Sequence, residues 1–128
     1  MTVIKSIYKS EQCIAETRLS FHYVAQTLND SQNIYIVAYK DDFLSSDVIN
    51  DLIGFLETYE TVSHPILLPL VDYHYDGDLF YVMYQFDENL MGLDDYLDRK
   101  RSLGSRFVRS VLTQTLDGLH YLSTKNIV

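Results

Sequence analysis

The stretch that decides the fold is NIYIVAYK, residues Asn33–Lys40. Apolar side chains fill it almost completely, which is typical of a strand buried inside a sheet. The stretch nevertheless ends on Lys40, and two aspartates follow. A buried ammonium group is costly unless it pairs with an acid, contacts a ligand or reaches solvent along its stem. The surroundings of Lys40 therefore decide whether the end of this strand has a function.

The sequence on either side of this strand predicts further strands and a helix. Apolar residues alternate loosely over residues 4–25, which predicts two earlier strands, and the polar residues 28–33 predict a turn. Apolar residues then recur at helical spacing over residues 48–59, after N-cap candidates at 45–47. We therefore expect a three-stranded antiparallel meander followed by a helix.

The rest of the chain predicts a hairpin and two helices. Residues 66–75 and 79–84 have strand character, and the Asp-Gly pair between them is a strong hairpin turn signal. A short helix is expected over residues 93–97, and a longer one should run from about 105 to between 123 and 126. This order predicts an α+β fold, in which a five-stranded antiparallel sheet with one helix is followed by two more helices.

Charge and composition exclude several classes of function. A net charge of −8 over 128 residues argues against a nucleic-acid partner. The one basic run, residues 99–101, adjoins Asp94, Asp95 and Asp98, so we interpret it as a solvated helix end. The single cysteine, Cys13, leaves no disulfide framework or Cys-rich zinc site, and the four histidines lack the spacing of metal ligands. We expect neither a nucleic-acid partner nor a bound metal.

Nothing in the sequence predicts a membrane or secretory segment. Residues 1–12 lack the long apolar core of a signal peptide, and the longest apolar runs are too short to span a bilayer. A single cysteine is compatible with a reducing compartment. We therefore predict a cytoplasmic or otherwise intracellular protein with no membrane partner.

Four short segments, in this order along the chain, resemble the amino-terminal lobe of a eukaryotic-type protein kinase and the first long helix of its carboxy-terminal lobe. Each is weak alone, but their order and separations agree with the family over residues 8–128. The segments are Val37-Ala38-Tyr39-Lys40, similar to the V-A-I-K of the third strand; Ser63-His64-Pro65-Ile66, similar to the turn after the C helix; residues 79–84, similar to the strand entering the hinge; and residues 116–128, similar to the helix before the catalytic loop.

The resemblance implies an ATP cleft beside the first three strands. Lys40 would contact the α- and β-phosphates of the nucleotide, and the glycine-rich loop would lie at the first hairpin. The remaining positions that the resemblance assigns are the cleft roof, the three glycine positions, the gatekeeper and the hinge. The cleft roof would be Ile14, Ala25 and Ala38, and the three glycine positions hold Ala15, Thr17 and Ser20. The gatekeeper would be Met83, and the hinge would be Tyr84, Gln85 and Phe86.

The chain departs from the family pattern in three ways. Ala15, Thr17 and Ser20 stand where glycines let the backbone approach the phosphates closely. Phe55 stands where the family has the glutamate that pairs with the lysine, and the nearby glutamates are out of helical phase. The chain also ends before the H-R-D and D-F-G segments that hold the catalytic base and the magnesium ligands. We therefore expect ATP binding to be weak or lost, and no phosphoryl transfer by this chain.

We interpret residues 1–128 as a partial protein kinase-like domain, either a fragment or a short natural form. The amino-terminal lobe and hinge would cover about residues 8–86, and residues 87–128 would form the first helices of the carboxy-terminal lobe. The expected function is that of a pseudokinase-like binding or regulatory module. One alternative is part of an active Ser/Thr kinase whose catalytic loop lies beyond residue 128, and another is an acidic interaction domain with a coincidental strand pattern. The apolar face of the last helix predicts a protein partner, the missing carboxy-terminal lobe or self-association.

Overall fold

The chain folds into one antiparallel sheet and a set of helices. The computed structural model describes residues 8–28, 31–87, 89–100 and 102–127. The strands lie in the order β1-β2-β3-β5-β4 across the sheet. The predicted α+β class and the five-stranded antiparallel sheet are confirmed. The elements are β1 Tyr8–Glu16, β2 Ser20–Thr27, β3 Asn33–Lys40, a 3₁₀ turn Asp41–Phe43, α1 Ser46–Tyr59, β4 Leu70–Tyr75, β5 Leu79–Gln85, α2 Leu93–Arg99 and α3 Ser105–Thr124.

The prediction that a strand starts at residue 66 is wrong, because β4 begins only at Leu70. Pro65 and Pro69 enclose the missing part, and neither has an N–H to donate to a strand partner. The chain turns instead, with Leu67 N donating to His64 O at 3.1 Å. Apolar content alone therefore predicted too long a strand here.

The two faces of the sheet are set by the alternation of side chains along each strand. Ile34, Ile36 and Ala38 of β3 lie on one face, where they are fully buried and pack with four buried residues of β2 and β5: Tyr23, Ala25, Tyr81 and Met83. We call this the far face. Val37 and Tyr39 lie on the opposite face, which α1 partly covers, and we call that the α1 face.

Helix α1 packs on the β3-β5-β4 half of the α1 face. Ser45 caps its first turn, its Oγ accepting from Val48 N at 3.3 Å. Leu56, which is 2% exposed, packs against Phe80 and Val82 of β5. Burial of each such side chain contributes roughly 1.5–3 kcal/mol. The cluster that α1 forms with the sheet includes no residue of β1 or β2. The packing of α1 is therefore confined to the β3-β5-β4 half of this face.

Helix α3 is held against the loop between α1 and β4. His64 Nε2 lies 3.1 Å from Asp117 Oδ2, and Tyr121 Oη accepts from Ser63 N at 3.0 Å. Gly118 permits this close approach, because a Cβ there would lie only 2.7 Å from Cγ2 of an isoleucine in the loop. The helix leaves an apolar stripe exposed, and no helix in the described ranges is both long and apolar enough to cross a membrane.

Candidate functional site

An open cleft of about 1100 Å³ lies on the α1 face of the sheet, over β1, β2 and β3. On one side it is lined by the sheet, including His22, Val24 and Tyr35, which belong to the α1 face. On the other side it is lined by residues of the segment after β5 and of α2, which are Phe86, Leu90, Met91, Gly92, Asp94, Asp95 and Arg99. Its volume is at the upper end of small-molecule sites, which are commonly on the order of 300–1,000 Å³. The cleft is therefore the candidate binding site.

A chain of hydrogen bonds runs along the sheet side of the cleft. Thr17 Oγ1 lies 3.0 Å from Ser20 Oγ, and Ser20 Oγ lies 2.9 Å from His22 Nε2. His22 Nδ1 lies 2.7 Å from the hydroxyl of Tyr35. Burial lowers the pKa of His22, so the imidazole is neutral at pH 7. Both ring nitrogens are thus engaged by hydroxyl groups, which fixes the orientation of the His22 and Tyr35 rings.

Two carboxylates converge on the opposite side of the cleft. A Cβ placed on Gly92 would lie 2.6 Å from Asp94 Oδ1 and 3.6 Å from Asp95 Oδ2, so both carboxylates lie close to Gly92. Burial, and then the charge of Asp94, raise the pKa of Tyr35 across the cleft. The ring of Phe86 lies beside that of Tyr35, with centroids 5.8 Å apart. This end of the cleft combines aromatic rings with negative charge.

The turn between β1 and β2 is closed by its own hydrogen bonds. Thr17 Oγ1 accepts from Leu19 N at 3.2 Å and from Ser20 N at 3.0 Å, while Thr17 N donates to Ser20 O at 2.8 Å. Backbone amides that point outward from such a turn are what bind phosphates in glycine-rich loops. Here three of these amides are engaged within the turn, two of them by the hydroxyl that Thr17 carries at a predicted glycine position and one by the backbone carbonyl of Ser20.

Lys40 lies on the far face of the sheet, and it does not line the cleft. It shares that face with Ala38, which pairs with Phe21 of β2. Its Nζ lies 2.6 Å from Glu16 Oε2 and 4.6 Å from the centroid of the Phe21 ring. At this end of β3 the α1-face position belongs to Tyr39, and the structure places the Lys40 side chain beside Glu16 and Phe21.

The acid that pairs with Lys40 comes from β1 and not from α1. Phe55, which stands at the predicted position of the acid, is 43% exposed and stacks on Tyr59 with ring centroids 6.0 Å apart. Lys40 could pair with an acid, contact a ligand or reach solvent along its stem, and the structure shows it paired with the acid Glu16.

The other predicted residues outside Tyr84 and Gln85 divide into three groups. Ala38 and Met83, the predicted roof and gatekeeper residues, are 0% and 1% exposed within the far-face core, so the register keeps them out of the cleft. Ser20 lies in the hydrogen-bond chain and is almost fully buried. The residues that do line the cleft are Ile14, Ala15, Thr17, Ala25 and Phe86.

The predicted hinge is tied into the fold. Tyr84 packs beneath α1, its ring centroid 6.2 Å from that of Tyr59, and burial with its tyrosine neighbours raises the pKa of Tyr84 to about 12. Gln85 N donates to a carbonyl of the loop before β4 at 2.9 Å. Phe86 N donates to Asn33 O at 3.2 Å. The amides of Gln85 and Phe86 therefore serve the sheet and are not presented to a ligand.

Sequence reasoning missed His22, Tyr35, Asp94 and Asp95. A signal was present for the first pair, since a histidine within an apolar strand is unusual and the strand period places it on one face with Val24. No sequence signal joins Asp94 to Tyr35, because only the packing of the segment after β5 against the sheet brings them together.

A scan against models of known protein families finds none that matches this chain, and a search of curated proteins finds no match. Over the residues that the structure describes, no group of His, Cys, Asp and Glu side chains is placed to hold a metal ion. The site is therefore interpreted from its own geometry.

Proposed function

We propose that this chain is a kinase-like binding module whose ligand site is the cleft on the α1 face, and that it binds ATP weakly or not at all. The observation that carries this proposal is the pairing of Lys40 with Glu16 on the far face, while a cleft of about 1100 Å³ lies on the α1 face. The site has the size for a small ligand but lacks the lysine that the kinase family uses for phosphates.

The arrangement of the sheet supports the kinase-like part of the proposal. One helix and one cleft share the α1 face of a five-stranded antiparallel sheet, and the helical segment after β5 forms the second wall of the cleft. The order of elements along the chain is the one that the resemblance implies.

The electrostatics of the cleft support the weak binding of ATP. Asp94 and Asp95 would repel a polyphosphate, and the neutral imidazole of His22 offers it no positive charge. The amides of the β1–β2 turn are engaged within the turn. Arg99 at the end of α2 is the cation that lines the described part of the cleft.

A thermal-shift titration with ATP, with and without Mg²⁺, tests this proposal. A ligand at a hundred times its Kd would stabilise the fold by about 2.7 kcal/mol, which is readily detected. We expect no shift at millimolar nucleotide, and no difference between the wild type and Lys40→Met in the response to ATP. Glu16→Gln is the matched control, since it breaks the same ion pair and keeps the lysine.

A Mg²⁺-dependent shift would contradict the proposal if Lys40→Met abolished it and Glu16→Gln did not. That outcome would mean that Lys40 reaches the nucleotide in solution. Both variants should fold, because an ion pair with one exposed partner contributes at most about 1 kcal/mol.

A further inference from the structure

We infer that the cleft takes a small aromatic amine, a ligand with a flat apolar body and an ammonium group. The inference rests on the proposed function, because it names the class of ligand for the same site. The body of the ligand would lie against the apolar wall, and its ammonium group would lie beside Gly92 between the two carboxylates and the aromatic rings.

The walls of the cleft suit a flat apolar body. Aliphatic side chains line it from both sides, among them Ile14, Val24 and Met91. The rings of Tyr35 and Phe86 add aromatic surface on which a planar group can stack. The hydrogen bond from His22 holds Tyr35 in a fixed orientation, so little side-chain freedom remains to be lost on binding.

The charges of the cleft favour a cation at one end. Asp94 and Asp95 line the cleft together with Gly92, and the Asp94 side chain is held in place because its Oδ1 accepts from Asp95 N at 2.9 Å. Arg99, the opposing charge, is at the far end of α2, roughly 6–8 Å further along the helix axis. An ammonium group beside Gly92 would thus lie nearer to the two carboxylates than to Arg99, in a cleft that also offers aromatic faces, which attract cations.

An anionic ligand lacks comparable partners at this end. His22 is neutral at pH 7, and Lys40 is paired with Glu16 on the far face. The same negative field that would repel the phosphates of ATP would attract an amine. The two inferences are still separable, since weak ATP binding does not require that any amine bind.

Three probes with one ring system and different charges test the inference: naphthylethylamine, naphthylacetamide and naphthylacetate. Each is titrated into the full chain and followed by amide chemical shifts, which also locate the bound probe. We expect the amine to bind about tenfold more tightly than the carboxylate, an energy difference of about 1.4 kcal/mol. The largest shifts should lie at residues of β2, at Tyr35 and near Gly92.

The double variant Asp94→Asn/Asp95→Asn should reduce this preference to within about twofold, since two neutral amides replace the charges. Asp98→Asn is the matched control, because it makes the same change on the same helix outside the cleft lining and should retain the preference. Circular dichroism and thermal unfolding establish that each variant is folded.

The outcomes separate the inference from the proposed function. Equal binding of the three probes in the cleft, or a preference for the carboxylate, overturns the aromatic-amine inference and leaves a binding cleft. Failure of all three probes to bind in the cleft at millimolar concentration overturns the inference and also removes the cleft as the ligand site of the proposed module.

Discussion

A shift of one residue along β3 would decide whether the Lys40 side chain lies in the cleft or on the far face. Lys40 and Tyr39 are neighbours, and the alternation of the strand sends them to opposite sides of the sheet. The side chain of Lys40 lies between Glu16 and the Phe21 ring, and this pairing compensates for its partial burial. One polar residue that does line the cleft from the sheet is His22, whose two nitrogens are held by hydroxyls.

At this residue scale, His22→Gln should weaken the pH dependence of stability on the acid side of neutrality. Burial lowers the folded-state pKa of His22 from its ordinary value of 6.5. The unfolded chain therefore takes up the proton first, and the contribution of His22 to stability is present above about pH 6.5 and is lost as the pH falls toward the folded-state pKa. Urea unfolding at a series of pH values, compared between wild type and variant, measures the difference.

His74→Gln is the control for this comparison, because His74 is exposed on β4 and is not part of the hydrogen-bond chain. If wild type and His22→Gln lost stability equally between about pH 7 and pH 5, the partly buried imidazole of His22 would not be the cause of the loss.

Among the elements, two glycines inside helices have opposite roles. Gly54 lies in α1 with nothing within 4 Å of the position that a Cβ would take. Gly118 lies in α3 against the loop before β4, where a Cβ would lie 2.7 Å from Ile66 Cγ2. Helix propensity disfavours glycine at both positions. Only at Gly118 does the packing of the helix leave no space for a Cβ. The sequence alone does not distinguish them.

Gly54→Ala should stabilise the fold by up to about 1 kcal/mol, the difference in helix propensity. Gly118→Ala should destabilise it, because overpacking costs roughly 1–3 kcal/mol and exceeds the gain in propensity. Urea unfolding of the two variants gives the sign of each change, and each variant serves as the control for the other. Stabilisation by both substitutions would contradict the packing of α3 on the loop at Ile66.

For the molecule as a whole, the sequence predicted the elements well and the candidate site only in part. The Asp-Gly turn, the helical period of α1 and the alternation in β2 are local signals, and each predicted its element. The site depends on which face of β3 receives α1, and a strand that is apolar on both faces does not specify this. The register is set by pairing with β2 and β5, and the motif at the end of β3 does not by itself specify the face on which Lys40 lies.

The measurement that tests the central claim most directly is the set of nuclear Overhauser contacts made by the Lys40 side chain in solution. The account predicts contacts from its methylene protons to the Phe21 ring, on the far face, and none to the rings of His22 and Tyr35. Contacts from Lys40 to those two cleft rings, with Tyr39 found beside Phe21, would contradict it. That result would mean that Lys40 lies in the cleft in solution, and it would support nucleotide binding there.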